Sequence, residues 1–324
     1  MNQRYRFRWT AKLPAALFGS PVAAPVVLAP GTFELGGLDP ATGRSQWRLP
    51  AGLEPRSFAW ALWSPAGPVA CAGTDRLWRI TGLDPAGKAR FSLLLEGWGS
   101  EAVVLGDHSY VLYTREGEHS GLWELDGAGE LRRRWQVPAG GFSLSASGGQ
   151  LCFAVRSAAQ EGLYQVDLEG GGLRRLATGK VERVECSSDY ILLQRAGGAV
   201  ELRDREGGLR WETEGGGLTP HLAGDGLYGA EEEGDEWGAV CRDLATGALR
   251  WRHPLPEGSR YLEVCPWEEV VVLWDAGPLT LVDRRSGARV LSVDGDFTAL
   301  GPAGCGTGYL VAAAGEQLHC IERV

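Results

Sequence analysis

Short apolar segments of strand length recur along the whole chain, and Gly, Pro, Asp and Ser break them at close intervals. Arg4-Tyr5-Arg6-Phe7-Arg8-Trp9 alternates polar and apolar with a period of two, the pattern of a half-buried β-strand. Seven times an apolar segment runs into an Asp, a short Gly-bearing turn follows, and a further apolar strand closes the unit. The turn residues are Asp39, Asp84, Asp126, Asp167, Asp204, Asp243 and Asp283, spaced 45, 42, 41, 37, 39 and 40 residues apart. A period near forty predicts stacked four-stranded blades. An Asp carboxylate bonds the backbone two residues on and Gly accepts a positive φ, so the pair makes a tight hairpin.

Each unit reads as three strands, the Asp turn and a fourth strand. In the first unit Pro25–Leu28 and Thr32–Leu38 are strands, Asp39 to Gly43 turns, and Ser45–Leu49 returns. After the seventh unit the chain still offers Phe297–Leu300, Tyr309–Ala313 and Leu318–Val324, three strands with no fourth. Tyr5–Trp9 is a fourth strand with no first three. Pairing Leu318–Val324 with Tyr5–Trp9 completes an eighth blade and leaves no open sheet edge. The expectation is an all-β, eight-bladed β-propeller of four-stranded antiparallel blades, closed by its N-terminal strand, one domain over residues 1–324. Seven blades is the alternative, if two weak units merge.

Gly37-Leu38-Asp39-Pro40-Ala41-Thr42-Gly43-Arg44-Ser45-Gln46-Trp47 and the stretch from Cys241 to Trp251 carry a common motif. It resembles the repeat of the pyrroloquinoline-quinone (PQQ) enzymes and their non-catalytic relatives, the PQQ-like β-propellers, which reads roughly Ala-x-Asp-x-x-Thr-Gly-x-x-x-Trp. The other five units match partly. The resemblance implies that Trp47 and Trp251 dock each blade on its neighbour, with the ring against the Gly of the adjacent turn. Trp9, Trp135 and Trp211 occupy the corresponding strand, and Phe91, Leu176 and Leu291 stand near the same place in the remaining units. It does not carry over the enzymes' activity. Those enzymes are exported and longer and have a vicinal Cys pair beside the quinone, and this chain has no adjacent cysteines. The non-catalytic branch is therefore expected, with no cofactor.

Composition narrows the reading further. The 324 residues include 48 Gly, 13 Trp and one Met, which suits many tight turns and aromatic packing. A net charge of −9 and the lack of a Lys/Arg stripe interleaved with aromatics argue against nucleic acid. Seven widely spaced cysteines without a CxxC pair indicate neither zinc nor dithiol chemistry; most sit in apolar strands as small hydrophobes, which suits a reducing compartment. Arg4, Arg6 and Arg8 ahead of Leu13 to Leu28 imitate a signal peptide, yet Pro14, Pro21 and Pro25 interrupt that stretch. A cytoplasmic protein is the expectation, with secretion as the alternative, and no apolar run is long enough to span a membrane.

Candidate chemistry is sparse. The five histidines fall on different blades without ligand spacing, the Gly-rich stretches open no helix, and the repeated Asp residues lack the clustered oxygens that calcium needs. No catalytic set and no metal site are expected. Rim loops are a better candidate. Arg115, Glu116 and His119 lie between two strands of the third blade. Glu231, Glu232 and Trp237 do so in the sixth, Trp98 sits between blades two and three, and His253 precedes the seventh blade. Aromatic and charged residues on rigidly held loops are what interaction faces use, although an acidic hairpin tip can equally be a solvated one. The leading expectation is a non-enzymatic scaffold with a protein partner, a component of a multi-protein system. The alternative is a quinone- or sugar-type ligand, or an enzyme, using the central channel.

Overall fold

The computed structural model describes residues 5–13, 21–50, 57–73, 77–114, 120–213, 218–234, 236–255, 263–274, 278–298, 300 and 308–323. Every regular element among them is a β-strand. The first blade holds β2 (Val27–Pro30), β3 (Glu34–Leu38) and β4 (Ser45–Pro50). The second is β5 (Ser57–Ser64), β6 (Gly67–Gly73), β7 (Leu77–Leu83) and β8 (Ala89–Glu96). The third is β9 (Trp98–Leu105), β10 (His108–Thr114), β11 (Ser120–Leu125) and β12 (Leu131–Val137). The fourth is β13 (Gly141–Ser147), β14 (Gln150–Val155), β15 (Gly162–Val166) and β16 (Leu173–Thr178). The fifth is β17 (Val181–Cys186), β18 (Tyr190–Arg195), β19 (Val200–Asp204) and β20 (Leu209–Glu212). The sixth is β21 (Leu218–Ala223), β22 (Gly226–Glu233), β23 (Glu236–Asp243) and β24 (Leu249–Pro254). The seventh is β25 (Glu263–Trp267), β26 (Val270–Trp274), β27 (Leu279–Asp283) and β28 (Arg289–Val293).

The eighth blade joins the two ends of the chain: β29 (Tyr309–Ala314), β30 (Gln317–Arg323) and β1 (Tyr5–Lys12) form one antiparallel sheet in the order β1-β30-β29. Tyr5 pairs with Arg323 and Lys12 with Gln317, with one bulge between Phe7 and Trp9. The fourth strand expected at Phe297–Leu300 is not a regular strand among the described residues; there Thr298 N–H donates to Ala313 O at 2.7 Å, beside buried Phe297 and Leu300. In the first blade the inner strand is shown by an isolated bridge between Val22 and Leu28. Eight antiparallel blades in a ring, closed by the N-terminal strand, is the architecture the period predicted.

The seven aspartates all sit in the hairpin between the third and fourth strands of a blade. In each, Oδ1 accepts at least one backbone N–H from within the turn: from Ala41 and Thr42 at Asp39, Lys88 at Asp84, and Ala128 and Glu130 at Asp126. The same bonds come from Glu169 and Gly170, Gly208, Thr246, and Arg285 and Ser286 in the remaining four. Hydrogen bonds to the ionised form stabilise it. The bond from Arg250, followed by those from Thr246, holds the Asp243 carboxyl down at about 2.

These turns also join the blades. The residue after each Asp turns its carbonyl outwards, and the preceding blade supplies a donor to it. Trp9 Nε1 bonds Pro40 O (2.9 Å), Trp47 bonds Pro85 O (3.1 Å), Trp211 bonds Leu244 O (2.8 Å) and Trp251 bonds Arg284 O (2.9 Å). Where no Trp reaches the carbonyl, another side chain takes its place: Arg90 on Gly127 O, Arg133 on Leu168 O, and Gln165 on Arg205 O (3.3 Å). The Trp9, Trp47, Trp211 and Trp251 rings cover Gly43, Gly87, Gly247 and Gly287, so closely that a Cβ on Gly87 would lie 2.3 Å from Trp47. Phe91 covers Gly129 and Leu176 covers Gly207 in the same way. Trp135 differs. Its ring is buried against Tyr110 and the fourth blade, while Gly171 of the next turn has nothing within 4 Å of a Cβ position.

The buried apolar residues divide into eight clusters, one for each seam between neighbouring blades. One runs between blades eight and one through Trp9, Val27, Leu38 and Val311, and another between seven and eight through Tyr5, Trp267, Leu281 and Leu310. A sheet apolar on both faces has to be covered on both, and a ring supplies each blade with two neighbours. Among the described residues, six cysteines are buried in these seams as thiols outside any disulfide: Cys71, Cys152, Cys186, Cys241, Cys265 and Cys320.

Candidate functional site

Antiparallel order sends the hairpins between second and third strands to one end of the ring, together with the crossings from one blade to the next. The Asp turns and the first-to-second hairpins lie at the other end. Of the rim residues named from sequence, those that the structure describes belong to, or run towards, the first end. Arg115, Glu116 and His119 lie outside the described residues. Trp98 opens β9 with its backbone paired to Thr114, and its side chain is likewise outside them.

Glu231, Glu232 and Trp237 come together in the β22–β23 hairpin, where Glu232 pairs directly with Trp237 across the strands. Their environments differ. Glu231 is half-buried and clamped by Arg242, with Nε to Oε1 at 2.6 Å and Nη2 to Oε2 at 2.7 Å. Such a two-pronged pair holds the base of the hairpin and contributes more than a surface ion pair. Glu232, Glu233 and Glu236 are exposed. Trp237 is half-buried against the cluster between blades six and seven, and its carbonyl accepts Leu255 N–H at 3.2 Å. A groove of about 450 Å³ runs beside this hairpin, with Trp211 and Leu249 on its wall and Glu212, Glu232 and Glu233 along its edge.

His253 pairs with Ala239 in β24, and its Nδ1 lies 2.9 Å from Gly287 O. Its ring is thus engaged with the Asp283 turn of the seventh blade, beside Trp251, and does not project from the rim.

The structure assembles one polar group whose members are dispersed along the sequence. His221 on β21, almost fully buried, lies between the innermost strands of blades five and seven. Its Nδ1 is 3.0 Å from Glu185 Oε2 on β17, and its Nε2 is 4.0 Å from Glu263 Oε2 on β25. Arg183 Nη2 stands 3.2 and 3.1 Å from the two ring nitrogens and 3.7 Å from Glu185. Burial and the Arg183 charge work against a charged imidazole, yet the bonds to Glu185 and Glu263 outweigh them, and the His221 pKa rises to about 9. The imidazolium is therefore the form present at neutral pH. A residue with both nitrogens protonated is a poor metal ligand. Among the described residues no three His, Cys, Asp or Glu side chains are grouped so as to hold a metal ion.

The cluster belongs to a longer series of ties around the channel. Glu101 accepts Leu144 N–H at 2.8 Å, Ser143 and Ser145 accept Val184 and Cys186 N–H at 2.8 and 2.9 Å, and Glu185 accepts Leu222 N–H at 2.8 Å. Each tie runs from one innermost strand to the next. Counting back from the tip of each inner hairpin would have shown Ser145, Glu185 and His221 at equivalent places. That alignment is a signal already present in the sequence.

No family model matches the chain, and no curated protein matches it in sequence. Solved structures do match over nearly the whole chain. The computationally designed Ika8 protein superposes with a TM-score of 0.72 at 14% identity, over 97% of this chain and 100% of that one. Sqt1 of Saccharomyces cerevisiae gives 0.69 at 12% identity, over 99% and 98%. BamB of Moraxella catarrhalis, also a β-propeller, gives 0.55 at 14% identity, over 98% and 99%. At such identities the likeness shows the fold alone. Fold, seams and closing strand together place this chain among the eight-bladed β-propellers.

Proposed function

We propose that the chain is a PQQ-like propeller of the non-catalytic kind, working in the cytoplasm as a protein-interaction scaffold within a multi-protein system. The PQQ-like assignment draws on the Asp39 to Trp47 and Asp243 to Trp251 motifs, whose tryptophans lie on the next turn's glycine. The observation that carries the scaffold reading is the β22–β23 hairpin. Three exposed glutamates stand at its tip, while Glu231–Arg242 and Trp237 lock its base into the fold. A pre-ordered, charged tip loses little conformational freedom on docking, and a partner with a basic patch complements it.

The test is capture of the tagged protein from its native host, in parallel with a Glu232→Lys, Glu233→Lys double variant and with Trp237→Ala. A stoichiometric partner that is lost in the charge-reversed variant and released by salt supports the reading. Recovery of the bait alone overturns it.

The channel cluster favours a second reading, a small-molecule binder. His221, Arg183, Glu185 and Glu263 converge at the channel wall, and the latter three retain partial exposure. Titration with quinones and sugars, in wild type and in Glu263→Gln, decides it. Saturable binding lost in the variant supports a channel ligand, and no binding removes it.

A further inference from the structure

The end of the ring opposite the acidic hairpin holds a cleft of about 850 Å³, set among blades six, seven and eight. Four guanidinium groups line it: Arg250 at the start of the outer strand of blade six, Arg284 and Arg285 in the Asp283 turn, and Arg323 at the end of β30. Its volume is that of a small-molecule site.

The carboxylates on its wall are already engaged. Asp225 pairs with Arg250 at 2.8 Å, Glu269 with Arg323 at 2.8 Å, and Glu268 accepts Gly308 N–H at 2.6 Å. Asp283 Oδ1 is held by its own turn. The donors are less fully used. Arg285 is exposed and makes no ion pair among the described residues. Arg284 is aimed by its inner edge, with Nε on the hydroxyl of buried Tyr228 at 2.8 Å and Nη1 on Glu268 O at 3.0 Å. Its Nη2 lies against Gly224, where a Cβ would come within 2.7 Å of it. Glu268, which supplies that carbonyl, has φ of +51°, a left-handed conformation that costs a non-glycine residue about 1 kcal/mol or more. Strained backbone, a buried phenol and a glycine thus converge on the placement of one arginine at this cleft.

We infer that this cleft binds a small multivalent oxyanion, with Arg284 and Arg285 as its direct donors and Arg250 able to exchange its Asp225 partner for the ligand. Guanidinium groups match phosphate and carboxylate oxygens in pairs. Asp225 is largely exposed, and an exposed ion pair of this kind is weak enough to be replaced. The inference rests on no partner at the opposite end of the ring.

Isothermal titration of the full chain with pyrophosphate, and separately with citrate, tests it at low ionic strength. Saturable binding of either is expected, and the preferred one tells phosphoryl from carboxylate recognition. Arg285→Ala is expected to weaken binding about tenfold, with Arg285→Lys intermediate because it keeps charge and loses the fork. Asp225→Ala, which frees the Nη1 edge of Arg250 while Nη2 stays on Asp243 at 2.6 Å, is expected to tighten it. Arg44→Ala, an exposed arginine of the first blade, controls for overall charge and leaves binding unchanged. Thermal melting confirms that each variant is folded. Absence of saturable binding to about 10 mM of both anions, or equal weakening by Arg44→Ala and Arg285→Ala, overturns the inference.

Discussion

At the scale of single residues, the glycines of the Asp turns separate two physical demands. Gly87 needs both a positive φ (+83°) and the space that Trp47 fills, whereas Gly171 needs only the φ (+76°). Gly171→Ala is expected to cost about 1 kcal/mol from backbone strain alone. Gly87→Ala is expected to cost about 3 kcal/mol, since overpacking at the seam adds to the strain. Chemical denaturation of the two variants compares them directly, and equal losses would show that the ring contact contributes nothing. His221 provides a second residue-level test. Its folded pKa, about 9, lies above the 6.5 of an unperturbed histidine, so the proton stabilises the fold. That contribution is complete below pH 6.5 and disappears as pH rises towards 9. The stability advantage of wild type over His221→Gln is therefore expected to be level in weak acid and to decline between those values. Arg183, Glu185 and Glu263 are the charged groups that face the ring from its neighbours; Arg183 opposes the proton, and an advantage independent of pH would mean that the two carboxylates do not hold the imidazolium.

At the scale of elements, the unit of construction is the hairpin plus the donor that the preceding blade sends to it. The Asp and Gly of the turn were legible in the sequence because they act locally, within about four residues. The donor was legible only when it was a Trp at the repeating place. Arg90, Arg133 and Gln165 perform the same task from different positions, since any long side chain with an N–H can reach an outward carbonyl. The closing strand shows how much one such donor matters. Trp9 fills the cluster between blades eight and one and covers Gly43 as well. Trp9→Ala is expected to cost about 3–5 kcal/mol, the usual range for emptying a buried aromatic site. A melting temperature within a degree or two of wild type would contradict the closure role of β1.

At the scale of the molecule, the core is not one body but eight seams, so stability is a sum of neighbour-to-neighbour terms closed into a circle, as in other repeat proteins. Seven blades carry an Asp turn, and in the eighth the two chain ends stand in its place, with Tyr5 paired to Arg323. A circular permutant follows from this. Joining the ends with a short Asp- and Gly-containing turn, and opening the chain between Gly171 and Gly172, is expected to preserve the fold. That site is chosen because no outer-strand ring covers Gly171. A single cooperative melt with unchanged β-sheet circular dichroism is the expected result. Broad or multiple transitions would indicate that the seam between blades three and four depends on the intact turn.

The chain by itself determined the repeat, the hairpins and the strand that closes the ring, while the structure decided eight blades over seven. Those features are written in local chemistry, alternation of period two, Asp followed by Gly, and a spacing near forty, and each repeats often enough to be read without neighbours. Only the tertiary structure decided which polar residues meet. His221, Glu185 and Glu263 are 36 to 78 residues apart and come together because successive blades set their inner strands side by side. Arg250, Arg284 and Arg323 converge for the same reason at the end of the ring. Glu231 and His253, which looked like rim residues, are drawn into the fold by Arg242 and Gly287. Charge and spacing in one dimension do not reveal a partner one blade away, because the distance that matters is set by the ring.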